Sequence, residues 1–342
     1  MTSVKSIGVG RDRLGWYEHT VEALEARAAA GAPIRIVVVD VDAHDWLAQT
    51  RDLDALIWNP YVMGPISSGF FKEKIIALEK YRGLRVMPSY ATAWHFESKV
   101  AQSYLLELLD VPRPRTIVSF EYGDAVEAAK SLGLPLVAKK SHGASSKNVR
   151  LLKTEGELKE YLQREFAQQL WDERKTDKGS PSKATASAAL EPWFRQKVVG
   201  TMLDQERQGY VYLQEFVADN DSDLRVVVVG RWVLAAWRAN RENDFRASGG
   251  GKTIWDRPIP MDAVRLCIET SKRIGSDSLA FDVLFRAGQP LIVEMSYNFP
   301  QQPAHDAPGH WREEPDGQLT WVDGQMWPQE LWVIKLLEEL GL

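Results

Sequence analysis

A chain of 342 residues is too long for one ordinary core and suits two or three subdomains; 44% apolar and 26% charged residues mark it as globular. A formal net charge of −5 supplies no polybasic face, which argues against nucleic acid or an anionic membrane as the main partner. A single cysteine, Cys267, excludes an internal disulfide, and with no spanning apolar run or leader-like start the expectation is a soluble cytoplasmic protein.

The first element is a short strand over 5–10 that ends in Gly8-Val9-Gly10. These glycines imitate the start of a dinucleotide fingerprint, but Leu14-Gly15 breaks its spacing, so they read as a turn. A helix over 16–30 carries Tyr17, Val21, Leu24 and Ala28 on one face and stops at Gly31-Ala32-Pro33. Apolar runs over 34–41 and 53–58 suit buried parallel strands. With a helix over 70–81 and a strand over 84–87, they predict a small open α/β domain in roughly the first ninety residues.

The next helix, over 92–109, carries Lys99 in its first half; a strand over 116–119 and a helix over 124–131 follow. A buried strand then delivers Lys139 into a loop of small residues over 141–148. Small residues let backbone N–H groups approach phosphate oxygens, and Lys139 supplies a point charge. An ordinary flexible hairpin with exposed lysines fits the same residues. A helix from 155 to about 170 leads into a polar stretch over 172–187, expected to be a mobile surface loop.

A strand over 210–216 ends in Leu213-Gln214-Glu215-Phe216-Val217. Two apolar strands over 224–229 and 232–237, turned by Gly230-Arg231, bring Arg225 and Arg238, and a glycine-rich segment over 243–252 holds Arg246. An amphipathic helix over 261–274 makes Cys267 a core residue. Strands over 281–285 and 291–295 flank a turn and carry one carboxylate each, Asp282 and Glu294. An ionised carboxylate in an apolar strand is costly to bury unless a cation receives it. Two side by side, with an amide at Asn298, suit Mg²⁺; two salt-bridged carboxylates suit the residues equally well. A helix over 328–340 closes the chain.

In this order the parts resemble the ATP-grasp superfamily over essentially the whole chain. The resemblance is closest to the branch containing the ribosomal-protein glutamate ligases and looser to D-alanine–D-alanine ligase. It implies an α/β ATP-grasp fold behind an N-terminal open α/β domain (1–90). A linker helix and lid subdomain (91–215) and a core subdomain with the Mg²⁺ site (216–342) would follow. Lys99 and Lys139 are similar to the two phosphate-binding lysines, and Ser141, Gly143, Ser145 and Ser146 to the loop that folds over the triphosphate. Gln214, Glu215, Phe216 and Val217 resemble the hinge that reads adenine, with Asp223 holding the nucleotide beyond it. Arg246 and Ser248, in Asp244-Phe245-Arg246-Ala247-Ser248, resemble the segment that meets the γ-phosphate. Asp282 and Glu294 match the metal-bridging carboxylates. The family's E-x-N reads Glu294-Met295-Ser296 here, so either Ser296 is the third ligand or a bulge brings Asn298 into its place.

The activity implied is that of an ATP- and Mg²⁺-dependent ligase joining a small-molecule carboxylate to an amine through an acyl phosphate. Arg225 and Arg238 are then candidates for gripping the acceptor carboxylate, or else structural partners of Asp219, Asp221 or Asp223. Asn-Asp-Phe-Arg-Ala-Ser-Gly and the later Pro308-Gly309-His310-Trp311 resemble ATP-grasp proteins of bacterial surface-polysaccharide clusters, suggesting a sugar acid or amino sugar as substrate. A small-molecule kinase and a nucleotide-binding regulator without turnover are the alternatives. The oligomeric state is left open, a homodimer included.

Overall fold

The computed structural model describes residues 3–12, 15–59, 64–142, 148–167, 209–240 and 252–342. They form two compact units, Met1–Pro112 with Asp219–Leu342, and Arg113–Ala218. The first unit begins with strands β1 (Lys5–Gly10), β2 (Ile34–Val39), β3 (Ala55–Trp58) and β4 (Arg85–Met87). They make an all-parallel sheet in the order β2-β1-β3-β4, as continuous apolar runs predict. Helices α1 (Trp16–Ala29), α2 (Trp46–Gln49) and α3 (Gly64–Ile76) connect the strands. The helix expected over 70–81 starts earlier and passes at Ile76 into a π-helical turn, Ala77–Arg82, which Gly83 closes in the left-handed region.

The helix expected over 92–109 is two helices, α4 (Tyr90–Ala93) and α5 (Lys99–Leu108). Glu97 takes a φ of 55° between them, and the Ser98 hydroxyl caps α5 by accepting the Ala101 N–H at 3.2 Å. Lys99 is therefore the first residue of α5, where the chain direction is fixed by a cap.

The second unit contains β5 (Thr116–Ser119), α6 (Tyr122–Leu132), β6 (Leu136–Lys139), β7 (Val149–Leu152), α7 (Glu155–Glu165) and β8 (Val211–Glu215). Its sheet is antiparallel, in the order β5-β8-β6-β7. Alternation sends Leu136, Ala138, Leu152, Val211 and Leu213 into a core with Ala125, Ala129 and Leu162 of the helices. The stretch over 172–187 lies outside the described residues.

The rest of the first unit holds β9 (Ser222–Val229), β10 (Trp232–Ala239), β11 (Thr253–Ile254), α8 (Met261–Ile274), β12 (Ser278–Arg286) and β13 (Gln289–Ser296). After α9 (Gln302–His305) come β14 (Gly309–Glu313), β15 (Leu319–Asp323) and α10 (Pro328–Glu339). An antiparallel sheet runs β13-β12-β9-β10-β14-β15, with β11 paired to β10. Cys267 is fully buried on α8, as expected. The β14–β15 hairpin was not legible as strands. It is held by an edge-on contact between Trp311 and Trp321, ring centroids 4.9 Å apart. A Cβ on Gly309 would lie 2.2 Å from the Trp321 ring, so only glycine fits there.

Candidate active site

Strand period places the charged residues in one row. Across β13, β12 and β9, Glu294 pairs with Asp282 and Asp282 with Arg225; on β10, Arg238 pairs with Asp223. Directly opposed residues share a face, so the period of two puts Asp223, Arg225, Arg238, Asp282 and Glu294 on the same side of four adjacent strands. The next row, Val226–Phe281–Met295, points the other way and is buried. The sequence of β9 already contains this division, since Asp223 and Arg225 alternate with Leu224 and Val226.

Asp282, 6% exposed, is shared by two guanidinium groups. Arg225 Nε lies 2.6 Å from Oδ1 and Arg238 Nη2 lies 2.9 Å from Oδ2. The Arg225 N–H is not directed along the short contact, so that attraction is Coulombic, without a well-formed hydrogen bond. Arg238 also grips Asp223 with both arms of its fork, Nε donating to Oδ1 at 2.8 Å and Nη2 to Oδ2. Burial works against ionisation of Asp282, yet Arg225 and Arg238 hold its carboxyl below the usual range. Asp223 goes the other way. Burial, and then the negative charge of Asp282, push its carboxyl up to about 6. Of two carboxylates sharing Arg238, the one with a second guanidinium ionises first.

At the outer edge, Lys99 Nζ lies 3.2 Å from Glu294 Oε1. With Lys99 the cluster holds three acids, Asp223, Asp282 and Glu294, and three bases, Lys99, Arg225 and Arg238. Pairing is regular from Glu294 to Ser296, where β13 ends, and the bulge on β13 falls at Val293, before Glu294. Past Glu294 the chain alternates partly exposed Glu294, Ser296 and Asn298 with buried Met295, Tyr297 and Phe299. The Ser296 hydroxyl donates to the Asn298 carbonyl at 2.5 Å.

The described residues contain no group of three or more His, Cys, Asp or Glu side chains poised around a metal. Asp282, Glu294 and Asn298 all carry oxygen donors, the ligand type that Mg²⁺ takes. Glu294 is 37% exposed and open to a ligand, whereas both Asp282 oxygens are held by arginines.

In the second unit, Lys139 Nζ donates to Gln214 Oε1 at 2.8 Å and lies 5.9 Å from the Tyr212 ring centroid. Gln214 in turn donates to the Thr116 hydroxyl at 3.0 Å. Register puts Thr116, Tyr212, Gln214 and Lys139 on the sheet face opposite the core. The Ser141 N–H donates to the Tyr210 hydroxyl at 2.6 Å. The Glu215 carboxylate receives the Arg115 backbone N–H at 2.6 Å and its Nε at 2.9 Å. The Glu215 and Phe216 N–H groups bond to the carbonyls of Arg115 and Pro135. Val217 is buried, 8% exposed. Gly143, Ser145, Ser146, Arg246 and Ser248 lie outside the described residues.

Residues 195–302 match the family described as the RimK-like ATP-grasp domain. That segment of the chain is similar to a RimK-like ATP-grasp domain. The α-aminoadipate–LysW ligase LysX of Saccharolobus solfataricus is 22% identical over 221 residues, 64% of this chain and 67% of the relative. The tetrahydromethanopterin:α-L-glutamate ligase of Methanosarcina acetivorans is 28% identical over 185 residues, 54% of this chain but only 48% of the relative. The chain thus spans about half the length of that second relative.

Among solved structures, a RimK-domain ATP-grasp protein of Sphaerobacter thermophilus aligns with a TM-score of 0.52 at 19% identity, covering 85% of this chain and 90% of that one. The ATP-grasp ligase PsnB with its minimal precursor aligns with 0.57 at 15% identity, covering 99% and 100%. These likenesses establish the ATP-grasp fold. No helix among the described residues is long and apolar enough to cross a membrane.

Proposed function

We propose that the protein is an ATP-dependent ligase that forms a C–N bond between a carboxylate and an amine through an acyl phosphate. The observation that carries the reading is the charged row on β9, β10, β12 and β13, lying within the segment similar to a RimK-like ATP-grasp domain. Relatives named as ligases of amino-acid substrates support it. The sugar-acid or amino-sugar substrate suggested by the tail draws no support from them, so the favoured carboxylate is that of an amino acid or peptide.

Transfer of the γ-phosphoryl group to the carboxylate oxygen releases ADP; the amine then attacks the acyl carbon, phosphate leaves, and the amine gives up a proton. Phosphoryl transfer asks for positioning and neutralised charge more than for covalent help. Lys99 and Lys139 serve the phosphates, and Gln214 to Val217 the base. Glu294 and Asn298, with Asp282 once an arginine yields one of its oxygens, would hold Mg²⁺, whose charge would offset that of the phosphate oxygens. Arg225 and Arg238 orient the acceptor carboxylate. The ion pairs described above hold Lys99, Arg225 and Arg238 in the row until an anion arrives to share them.

The test is ADP release measured against panels of amino acids and peptides. Release that needs both a carboxylate and an amine supports the ligase; release with an alcohol and no amine would make the protein a kinase.

A further inference from the structure

β13 is the outer strand of its sheet, so alternate backbone groups along it lack a strand partner on that side. At Met295 helix α5 fills the gap. Gln102 Nε2 donates to the Met295 carbonyl at 2.7 Å, and Oε1 accepts the Met295 N–H at 3.1 Å. One side-chain amide copies the donor and acceptor that a neighbouring strand would offer. Nε2 also reaches the His95 carbonyl at 3.3 Å, and the residue is 5% exposed. Gln102 stands one turn after Lys99 on the same helix face, and Met295 directly follows Glu294. The amide clamp and the Lys99–Glu294 ion pair are thus neighbouring links between the same helix and the same strand.

We propose that Gln102 is a positioning residue for the nucleotide site: its amide fixes the register of α5 against the edge of β13 and so presents Lys99 beside Glu294. An ion pair alone tolerates sliding, because Coulomb attraction falls off slowly with distance and weakly with angle. Two hydrogen bonds from a planar amide to one residue's N–H and C=O do not. The part of the inference that concerns nucleotide rests on the ligase reading; the part that concerns Lys99 does not.

Gln102→Glu separates the two parts. A protonated glutamic acid still offers one donor and one acceptor to Met295, whereas the ionised form loses the donor and faces the Met295 carbonyl. Burial raises the pKa of such a carboxyl, bringing the change into an accessible range. Two quantities are measured beside wild type at each pH: labelling of Lys99 by an amine-reactive reagent, read by mass spectrometry, and the Kd for MgATP. At about pH 5.5 the variant should match wild type in both. By about pH 8, Lys99 labelling should rise and MgATP affinity fall, each about tenfold.

Gln102→Met removes both bonds without adding charge and should show raised labelling at every pH. Wild-type labelling and affinity across the range in both variants, even with lowered Tm, would reduce Gln102 to a structural residue and overturn the proposal. Should wild type bind no MgATP, the ligase reading falls, while the labelling comparison still decides the clamp.

Discussion

Replacing Asp223 by Asn removes a carboxyl that the fold makes harder to ionise than it is in the unfolded chain. Burial and the neighbouring Asp282 raise its pKa from 3.8 to about 6, against the pull of Arg238. A carboxyl with a raised folded-state pKa binds more protons folded than unfolded between those two values. Its contribution to stability is therefore present below 3.8 and lost as pH rises through about 6. At about 1.4 kcal/mol per pH unit, that gap amounts to ~3 kcal/mol. The introduced amide mimics the neutral acid at every pH, so the stability of Asp223→Asn minus wild type should shift in favour of the variant by ~3 kcal/mol between pH 4 and pH 8. Urea unfolding at a series of pH values measures it; groups remote from Asp223 cancel in the difference, and Asp282, held below the usual range, stays ionised over this interval. A difference independent of pH, or one that moves toward wild type as pH rises, would refute the assigned direction. Asp282 acts in a separate window: its lowered pKa gives stability that is present above the unfolded value and lost only as pH falls below it.

Arg225→Lys and Arg238→Lys keep the charge and lose the fork, and each should lower kcat/KM about tenfold or more; wild-type rates in both would remove the substrate role. Glu294→Gln should raise the Mg²⁺ concentration needed for half-maximal turnover while leaving the Tm near wild type. A Mg²⁺ titration of Ser296→Ala and Asn298→Ala decides between the two third-ligand candidates, since only the true ligand should shift it, and Asn298 is expected to. Gly309→Ala forces a Cβ against the Trp321 ring and should cost ~1–3 kcal/mol by urea unfolding; an unchanged midpoint would mean the β14–β15 hairpin yields without strain.

The pairing of Asp282 with Glu294 was legible because each interrupts an apolar strand once, and period two then fixes the face. That the first sheet is parallel followed from continuous apolar runs alternating with helices, whereas its strand order did not. What stayed hidden was set by tertiary contacts. Nothing local marks Glu97 as a residue held at positive φ, so α4 and α5 read as one helix and Lys99 seemed to lie inside it. Ser98 was the available signal, as a capping residue directly before Lys99. The fork of Arg238 on Asp223 joins residues 15 apart whose alignment depends on the hairpin register, so sequence could name the partners without choosing between them. Gln102 reads as any polar helical residue until α5 is laid against the edge of β13. The β14–β15 hairpin was not read as strands, although Trp311 and Trp321 sit at strand positions.

Transfer of an oxygen from substrate to phosphate tests the central claim most directly. With a carboxylate that supports amine-dependent ADP release, ¹⁸O is placed in the carboxyl group and the phosphate formed during turnover is analysed by mass spectrometry. The ligase account predicts one ¹⁸O in the released phosphate for each C–N bond formed, because the acyl phosphate breaks at its acyl carbon. Unlabelled phosphate accompanying amide formation would contradict it.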